Sequence, residues 1–560
     1  MDKISKIGLV VSIGLMIAWF IYQSDQQKKE RALIPAEPLR KEEAITPPMD
    51  IPTIEPERPV VEDIEPLKFP ESEETIIIQT DRLNVELSAW GGVIKRVVLK
   101  ENQEAGIRRL PDEESGDVTL IDIKDPMKAF GVLPNFPIDR MAWSRSGNRV
   151  SFSYRDEKIR IDKVYEFEDG TYEGKFGLEI ENLSGESMPL PQGLAFSAGK
   201  MSSVDNGDIL GVDILTPTGM VRNKRLLERT NQEIDWAALK TTYFTYIINP
   251  IDEMASALEV SGKGTGRNVR QAMAGCASGP AFEELAALLY FNRIASLSPG
   301  EKVAINFSTY FGTADYRILQ KYGKGYEKVV DFGFWAPISK VIIWSLTELY
   351  NLIGSYGWAI IILTVIIKII LWPLTHKSAK SMKEMQKIQP LVSALKEKYK
   401  SDPKKIQAET MKLYKEHKIN PMGGCLPMVL QIPILFAFFT SLRSAILLRK
   451  APFWIIPGRW IKDLSGPDVF MTLSQPLPIL GNQLNILPIL MGISFLIQQK
   501  YTPTAAATPQ AEQQQKMMAI LMPVMFIFIF YSLPSGLNLY FLVSNVLSLP
   551  QQILAVRRSK

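Results

Sequence analysis

The hydrophobic period changes several times along the chain, and each change predicts a different kind of element. Ile7 to Tyr22 (IGLVVSIGLMIAWFIY) is an almost unbroken apolar run behind Lys3 and Lys6, near the short end for a membrane span. No small-x-small cleavage site follows, because Ala18 precedes Trp19, Phe20 and Ile21. An uncleaved signal anchor over 1–22 is therefore predicted over a removed signal peptide. From 23 to 70, nine prolines stand among many charges, the composition of an extended tether. Between 71 and 330 the period falls to two, as in Arg149-Val-Ser-Phe-Ser-Tyr154 and Lys158-Ile-Arg-Ile-Asp-Lys-Val-Tyr-Glu-Phe167. Turn signals at Gly91-Gly92, Asp169-Gly170 and Pro299-Gly300 separate such stretches, so a large all-β sandwich is expected.

Past residue 331 the pattern becomes helical. Ile338, Ile342, Leu346, Leu349 and Ile353 share one face, with Lys340, Glu348 and Asn351 elsewhere. This predicts an amphipathic helix within 331–357, lying in the membrane interface. Five apolar runs follow, at 358–374, 425–448, 484–497, 517–533 and 537–556. They predict a five-helix membrane core over 358–560, so the whole chain reads as an α-helical membrane protein carrying an all-β domain.

Whole-chain averages conceal this organisation. Mean hydropathy is +0.01 and charged residues make up 22%, values that fit an ordinary soluble protein. The net charge of +4 is a sum of opposites. His376 to Lys418 carries twelve lysines against five acids, which is +7 and leaves −3 for the rest. Only two cysteines and two histidines are present. Cys276 and Cys425 fall in unlike regions, and both histidines lie in the lysine-rich stretch, so no disulfide framework, histidine triad, zinc motif or other metal site is expected. No GxxxxGK[ST] loop occurs, and no cofactor is expected.

The lysine-rich stretch predicts a helical hairpin broken at Ser401-Asp-Pro403, with Pro390 kinking or restarting its first helix. A solvated coiled coil is the plain structural reading. Lys377, Lys380, Lys383, Lys396, Lys398, Lys400, Lys404 and Lys405 also suit anionic lipid headgroups or ribosomal RNA. The positive-inside rule places this hairpin and the tail Arg557-Arg-Ser-Lys560 in the cytoplasm and the β-domain outside. Lys28, Lys29 and Arg31 argue weakly against that orientation.

Lys368 is the ionisable residue inside the run Trp358 to Trp372. A charge at a helix centre costs about 2.5 to 3.5 kcal/mol on insertion scales, so it should face an interior, a wet cavity or an interface. The bland alternative is snorkelling towards the Thr375 end. Gln431, Asn538, Ser544, Asn545 and Ser548 are the further polar candidates in the spans, and helix–helix hydrogen bonding is their bland reading. A small-solute transporter with an ion site at Lys368 is a rival reading. It is disfavoured by the lack of a carboxylate partner and of a visible inverted repeat. A pure scaffold is another.

Three motifs sharpen the choice. They are Asn420-Pro-Met-Gly-Gly-Cys-Leu-Pro427 with Gln431-Ile-Pro433-Ile, then Lys368 ahead of Trp372-Pro-Leu-Thr375, and Leu533-Pro-Ser-Gly-Leu537 with Leu539-Tyr540 and Val543-Ser-Asn545. In this order, over about Phe334 to Ile553, the chain resembles the YidC/Oxa/Alb family of membrane protein insertases. The anchor, tether and β-domain resemble its Gram-negative form, with a looser match at Gly91-Gly92, Thr242-Tyr-Phe-Thr245 and Leu297-Ser-Pro-Gly300. Where that form often has Pro-Lys after Tyr310-Phe-Gly312, this chain has Thr313-Ala314.

The resemblance implies a non-enzymatic insertase and chaperone of the bacterial inner membrane. It would act on nascent membrane proteins, alone or with the Sec translocon and the ribosome, with its β-domain periplasmic. It further implies a hydrophilic groove open to cytoplasm and lipid, formed here by Lys368, Gln431, Asn538, Ser544, Asn545 and Ser548. A substrate slide would run along Ile432, Pro433, Phe436 and Phe526, for which lipid or core packing is the plain alternative. The family's groove position is usually Arg. Lys keeps the charge and loses the planar fork that binds a carboxylate bidentately.

Overall fold

A computed structural model describes residues 69–557 except 71–72, 111–112, 137, 205–209, 224–229, 265–281, 400–401, 418, 420–425, 454–459, 478–480 and 501–522. The expected anchor, nearly all of the tether, Cys276, Lys400, the Asn420 to Cys425 part of the motif and 517–522 lie outside the described residues.

The period-two stretches form strands. Ile159–Phe167 alternates buried and half-buried positions along its whole length. It belongs to a nine-stranded antiparallel sheet in the order Gly219–Asn223, Gly211–Thr216, Trp236–Lys240, Phe244–Pro250, Lys302–Thr313, Glu173–Asn182, Ile159–Phe167, Arg149–Arg155, Ala142–Ser146. A three-stranded sheet (Leu194–Ser202, Phe282–Phe291, Ala257–Gly264) and a four-stranded sheet (Thr75–Gln79, Leu83–Ser88, Val93–Leu99, Val118–Asp122) cover its inner face. The layers meet through aromatic rings. Phe196 stacks on Phe307 at 4.6 Å, and Phe130 stands edge-on to Phe176, Phe196 and Phe311.

A buried lysine joins the layers. Lys163, 4% exposed, reaches from the nine-stranded sheet to donate to the carbonyls of Gly91 (2.6 Å) and Gly131 (2.7 Å). The Tyr165 hydroxyl donates to the Gly92 carbonyl at 2.8 Å. The turn so held needs its glycines: φ is 77° at Gly91 and 55° at Gly92, where a Cβ would meet Met141 Sδ at 2.7 Å.

After the β-domain, Ala336–Ile353 is the amphipathic helix, with Ile342, Ile343 and Leu346 buried and Val341, Trp344 and Leu352 exposed. Gly354 ends it at φ 74°, the left-handed cap that glycine adopts without strain. Tyr356–Lys387 then runs 32 residues, about 48 Å at 1.5 Å per residue, straight through Pro373 and beyond the span expected from hydropathy. Among the described residues, Tyr356–Ser378 is long and apolar enough to cross a membrane, and Leu487–Gln499 is a shorter apolar helix.

At Pro390 the helix restarts rather than kinks. Gln389–Lys398 begins with proline in its first turn, where no backbone donor is needed. Pro403–Glu416 is capped by Asp402, which accepts from the Lys405 amide at 3.1 Å. Ile388, Val392, Tyr414 and Ile419 close a small core between these two helices. Leu426–Ser444, Leu487–Lys500, residues 523–530 and Ser535–Arg557 complete the helices. One element was not foreseen: a β-hairpin, Val469–Leu477 with Gly481–Asn485, in the loop before Leu487.

The turn Ile446–Leu448 ties the β-domain to the helices, as does Arg317, which donates to Thr347 Oγ1 at 3.3 Å. Ile446 is fully buried within the β-domain core, and Arg108 donates to the Leu447 carbonyl. Lys450 Nζ bonds both oxygens of Glu113, at 2.8 and 2.6 Å. Arg449 lies over the Phe244 ring at 5.0 Å.

Burial pushes Lys163 down to about 7, while its two carbonyl acceptors favour the ammonium. The unfolded chain, with an ordinary lysine near 10.4, then binds more protons than the folded one between pH 7 and 10. Stability must rise with pH across that window, at up to about 1.4 kcal/mol per pH unit. Denaturant unfolding of the β-domain in the purified chain should show this slope, and Lys163→Met should flatten it. An unchanged slope in the variant would assign the effect elsewhere.

Candidate functional site

Burial along Tyr356–Lys387 is one-sided around Lys368. Ile369 and Ile370 are 65% and 68% exposed, whereas Lys368 is half-buried and turned towards the other helices. Its Nζ donates to Ser548 Oγ at 2.9 Å. Ser548 in turn donates to the Ser544 carbonyl at 2.8 Å, and Ser544 Oγ accepts from Gln431 Nε2 at 3.4 Å. Lys368, Ser548, Ser544 and Gln431 thus form one polar line across three helices. The lysine does not snorkel along its own helix. An ammonium has three donors, and among the described residues only one acceptor is shown for it.

The neighbouring face of Ser535–Arg557 carries a second polar contact. Asn545 Nδ2 donates to Ser494 Oγ at 3.0 Å, and Ser494 Oγ donates to the Met491 carbonyl at 2.6 Å. Ser494 was not among the expected residues. A lone serine inside Leu487–Lys500 was the available signal, outweighed by the shortness of that apolar run. Asn538 is not part of either group. It is fully buried and donates to the Phe530 and Leu533 carbonyls, at 3.1 and 3.5 Å, tying off the turn that precedes its helix.

The expected slide residues divide as well. Ile432 and Phe436 are 42% and 47% exposed, on the outer surface of Leu426–Ser444. Pro433 is half-buried inside that helix. Phe526 stacks on Phe495 at 5.0 Å, within the bundle. Of the lysines, Lys377, Lys380, Lys398 and Lys405 are exposed. Lys383, Lys396 and Lys404 sit on the helices with side chains outside the described set.

Towards the β-domain the polar line gives way to an apolar plug. Phe438 stacks on Tyr540 at 4.2 Å, and Ile360, Ala437 and Leu537 are buried around them. Beyond the plug, residues 464–466 are pinned to the start of Ser535–Arg557. The Ser535 and Gly536 amides donate to the Gly466 and Leu464 carbonyls at 2.7 and 2.9 Å. Asp463 accepts from the Lys450 amide at 2.9 Å and from the Ser465 amide and hydroxyl, each at 2.8 Å; burial pushes its carboxyl up.

Asp468 caps Leu487–Lys500 by accepting from the Ile486 and Leu487 amides, at 2.9 and 2.7 Å. Burial pushes it up to about 6. The folded state therefore favours its protonated form, and this contribution to stability is lost as pH rises through 6. Among the described residues no cluster of His, Cys, Asp and Glu fits a metal ion.

A helical bundle with a span-length apolar helix, a polar line between its helices and an apolar plug, joined to a β-sandwich, fits the class of membrane proteins that carry a separate β-domain. Residues 348–560 match the family model of the 60Kd inner membrane protein, and 75–345 match that of the YidC periplasmic domain. The membrane protein insertase YidC of Syntrophus aciditrophicus is 31% identical, over 99% of this chain and 99% of that one. The membrane protein insertase YidC of Geobacter sp. strain M21 is 32% identical, over 85% of this chain and 84% of that one. A crystal structure of an active YidC insertase with the first transmembrane domain resolved matches at TM-score 0.36 and 18% identity, covering 87% of this chain and 94% of that one. The chain belongs to the YidC family of membrane protein insertases.

If Asn545 and Ser494 bind each other as their geometry indicates, Asn545→Leu and Ser494→Ala should be non-additive. A double-mutant cycle on unfolding in mixed micelles should give a coupling of about 0.6 kcal/mol, the usual size for such contacts in membranes. Strict additivity would mean that the contact does not contribute.

Proposed function

We propose that this chain inserts nascent transmembrane segments into the bacterial inner membrane, and helps them fold, through a hydrophilic groove centred on Lys368. The Lys368 to Ser548 bond carries this reading: a half-buried ammonium inside an apolar helix, turned towards hydroxyl and amide groups on other helices. Five core spans surround the groove. The lysine-rich hairpin and the C-terminus face the cytoplasm, where the hairpin meets the ribosome or anionic lipid. The apolar plug and the loop 449–468 close the groove on the periplasmic side.

The mechanism follows from solvation. A polar flank of the client must leave water to cross, at a cost of several kcal/mol per unsatisfied group. A wet recess carrying one fixed cation and several hydroxyls lowers that cost by replacing lost water contacts. It also shortens the hydrocarbon path. The client's apolar segment then slides past Ile432 and Phe436 into lipid. Burial of its side chains releases about 25 cal/mol per Å², so no nucleotide is required. Lys368 acts through charge and hydration. Among the described residues it has no carboxylate partner, which speaks against an ion-coupled transporter.

Photocrosslinkers placed at Lys368, Gln431 and Ile432 test the groove. Each should form adducts with a ribosome-held single-span client in native membranes, whereas a crosslinker at lipid-facing Ile370 should form few. Absence of adducts at all three positions would refute the groove.

A further inference from the structure

A second feature lies outside the groove. An open recess of about 810 Å³ separates β-domain residues 101–110 and 113 from the helix junction 350–358 and residues 450–453 and 462. That volume is within the range of small-ligand sites, about 300–1,000 Å³. Arg108, Arg109, Lys450 and Lys462 line it against two carboxylates, Glu101 and Glu113, so the lining has an excess of two positive charges.

The walls are built for more than charge. Tyr350 and Tyr356 stack at 4.0 Å and 9°, and Arg108 lies 6.0 and 5.3 Å from their ring centres. Trp358 stands edge-on to Phe453 and is 45% exposed. Gly357 permits that approach, since a Cβ there would fall 2.0 Å from the Phe453 ring. Lys450 has φ 53°, the one positive φ at a non-glycine position among the described residues. Strain of this kind persists where surrounding contacts fix it, and it concentrates at functional sites. Here the Asp463 carboxylate holds the Lys450 amide and Glu113 holds its Nζ.

The recess sits where the chain enters its membrane span, Tyr356–Ser378. Exposed Leu352 and Ile353, at 82% and 40%, end the amphipathic helix beside it. Aromatic rings and cations at that depth meet lipid headgroups. We propose that the recess binds the phosphate headgroup of an anionic phospholipid from the periplasmic leaflet. Arg109, 57% exposed and 3.9 Å from Glu101, and Lys462 contact the phosphate. Trp358 receives the glycerol and the first acyl carbons, and the lipid wedges the β-domain against the helices. An acidic client tail would satisfy the cations and leave the apolar rim unused, so a lipid fits the lining better. This assignment is independent of the Lys368 groove.

The test is native mass spectrometry of the full chain in non-ionic detergent, titrated with phosphatidylglycerol or phosphatidylcholine of identical acyl chains. Wild type should bind phosphatidylglycerol about thirtyfold more tightly than phosphatidylcholine, and Arg109→Glu/Lys462→Glu should abolish the preference, since each of the two surface cations contributes about 1 kcal/mol to anionic lipid binding. Trp358→Ala should weaken both lipids. Equal binding of the two lipids by wild type, or an unchanged preference in the double variant, would overturn the proposal. So would an acidic peptide that displaces phosphatidylglycerol from wild type at lower concentration than the lipid itself requires. Thermal melting verifies folding, and Arg109→Gln/Lys462→Gln gives the same comparison if the charge reversals do not fold.

Discussion

One half-buried lysine sets the polar contacts of the helical half of this chain. An apolar helix cannot carry Lys368 into hydrocarbon without a large solvation cost, so its neighbours must supply polar groups. Ser548 does so directly, and Ser544 and Gln431 extend the line to a third helix. Helix–helix hydrogen bonds in membranes are individually weak. Their value here is positional: they keep a polar path next to a face that is otherwise isoleucine and tryptophan. In the proposed reading the same path lowers the barrier for a client's polar flank.

In the proposed reading the path must also be closed at one end. Stacked Phe438 and Tyr540 fill the bundle towards the β-domain, and residues 464–466 hold the start of Ser535–Arg557 through backbone hydrogen bonds. The β-domain clasps the segment just before, with Ile446 in its core and Glu113 on Lys450. A shift of the β-domain would therefore be felt at the Phe438–Tyr540 end of the bundle. The proposed lipid site lies along that joint and would stiffen it.

Much of this was legible from pattern. Period-two alternation marked the strands, and Gly91-Gly92 marked a turn whose φ values and crowding require glycine. Pro390 carried two readings, kink or restart, and the backbone resolves them because proline in a first helical turn loses no hydrogen bond. Residues with cross-chain partners were harder. Asn538 has the same composition signal as Asn545, yet one ties a turn and the other bridges helices, because seven residues of helix separate their surroundings. Ser494 was missed for the converse reason: one hydroxyl in a short apolar run says nothing until Asn545 is placed opposite. The hairpin Val469–Asn485 and the clasp at Ile446 depend on contacts between distant segments that no local period records.

The central claim concerns charge at one position, so the most direct measurement is the insertion of clients that differ only in their translocated tails. With Lys368→Ala, clients with acidic tails should insert roughly tenfold more slowly, the effect of removing about 1.4 kcal/mol of favourable interaction. Clients with neutral tails should change little, and Lys368→Arg should restore both. Equal losses for acidic and neutral clients would contradict the account and leave Lys368 a structural residue.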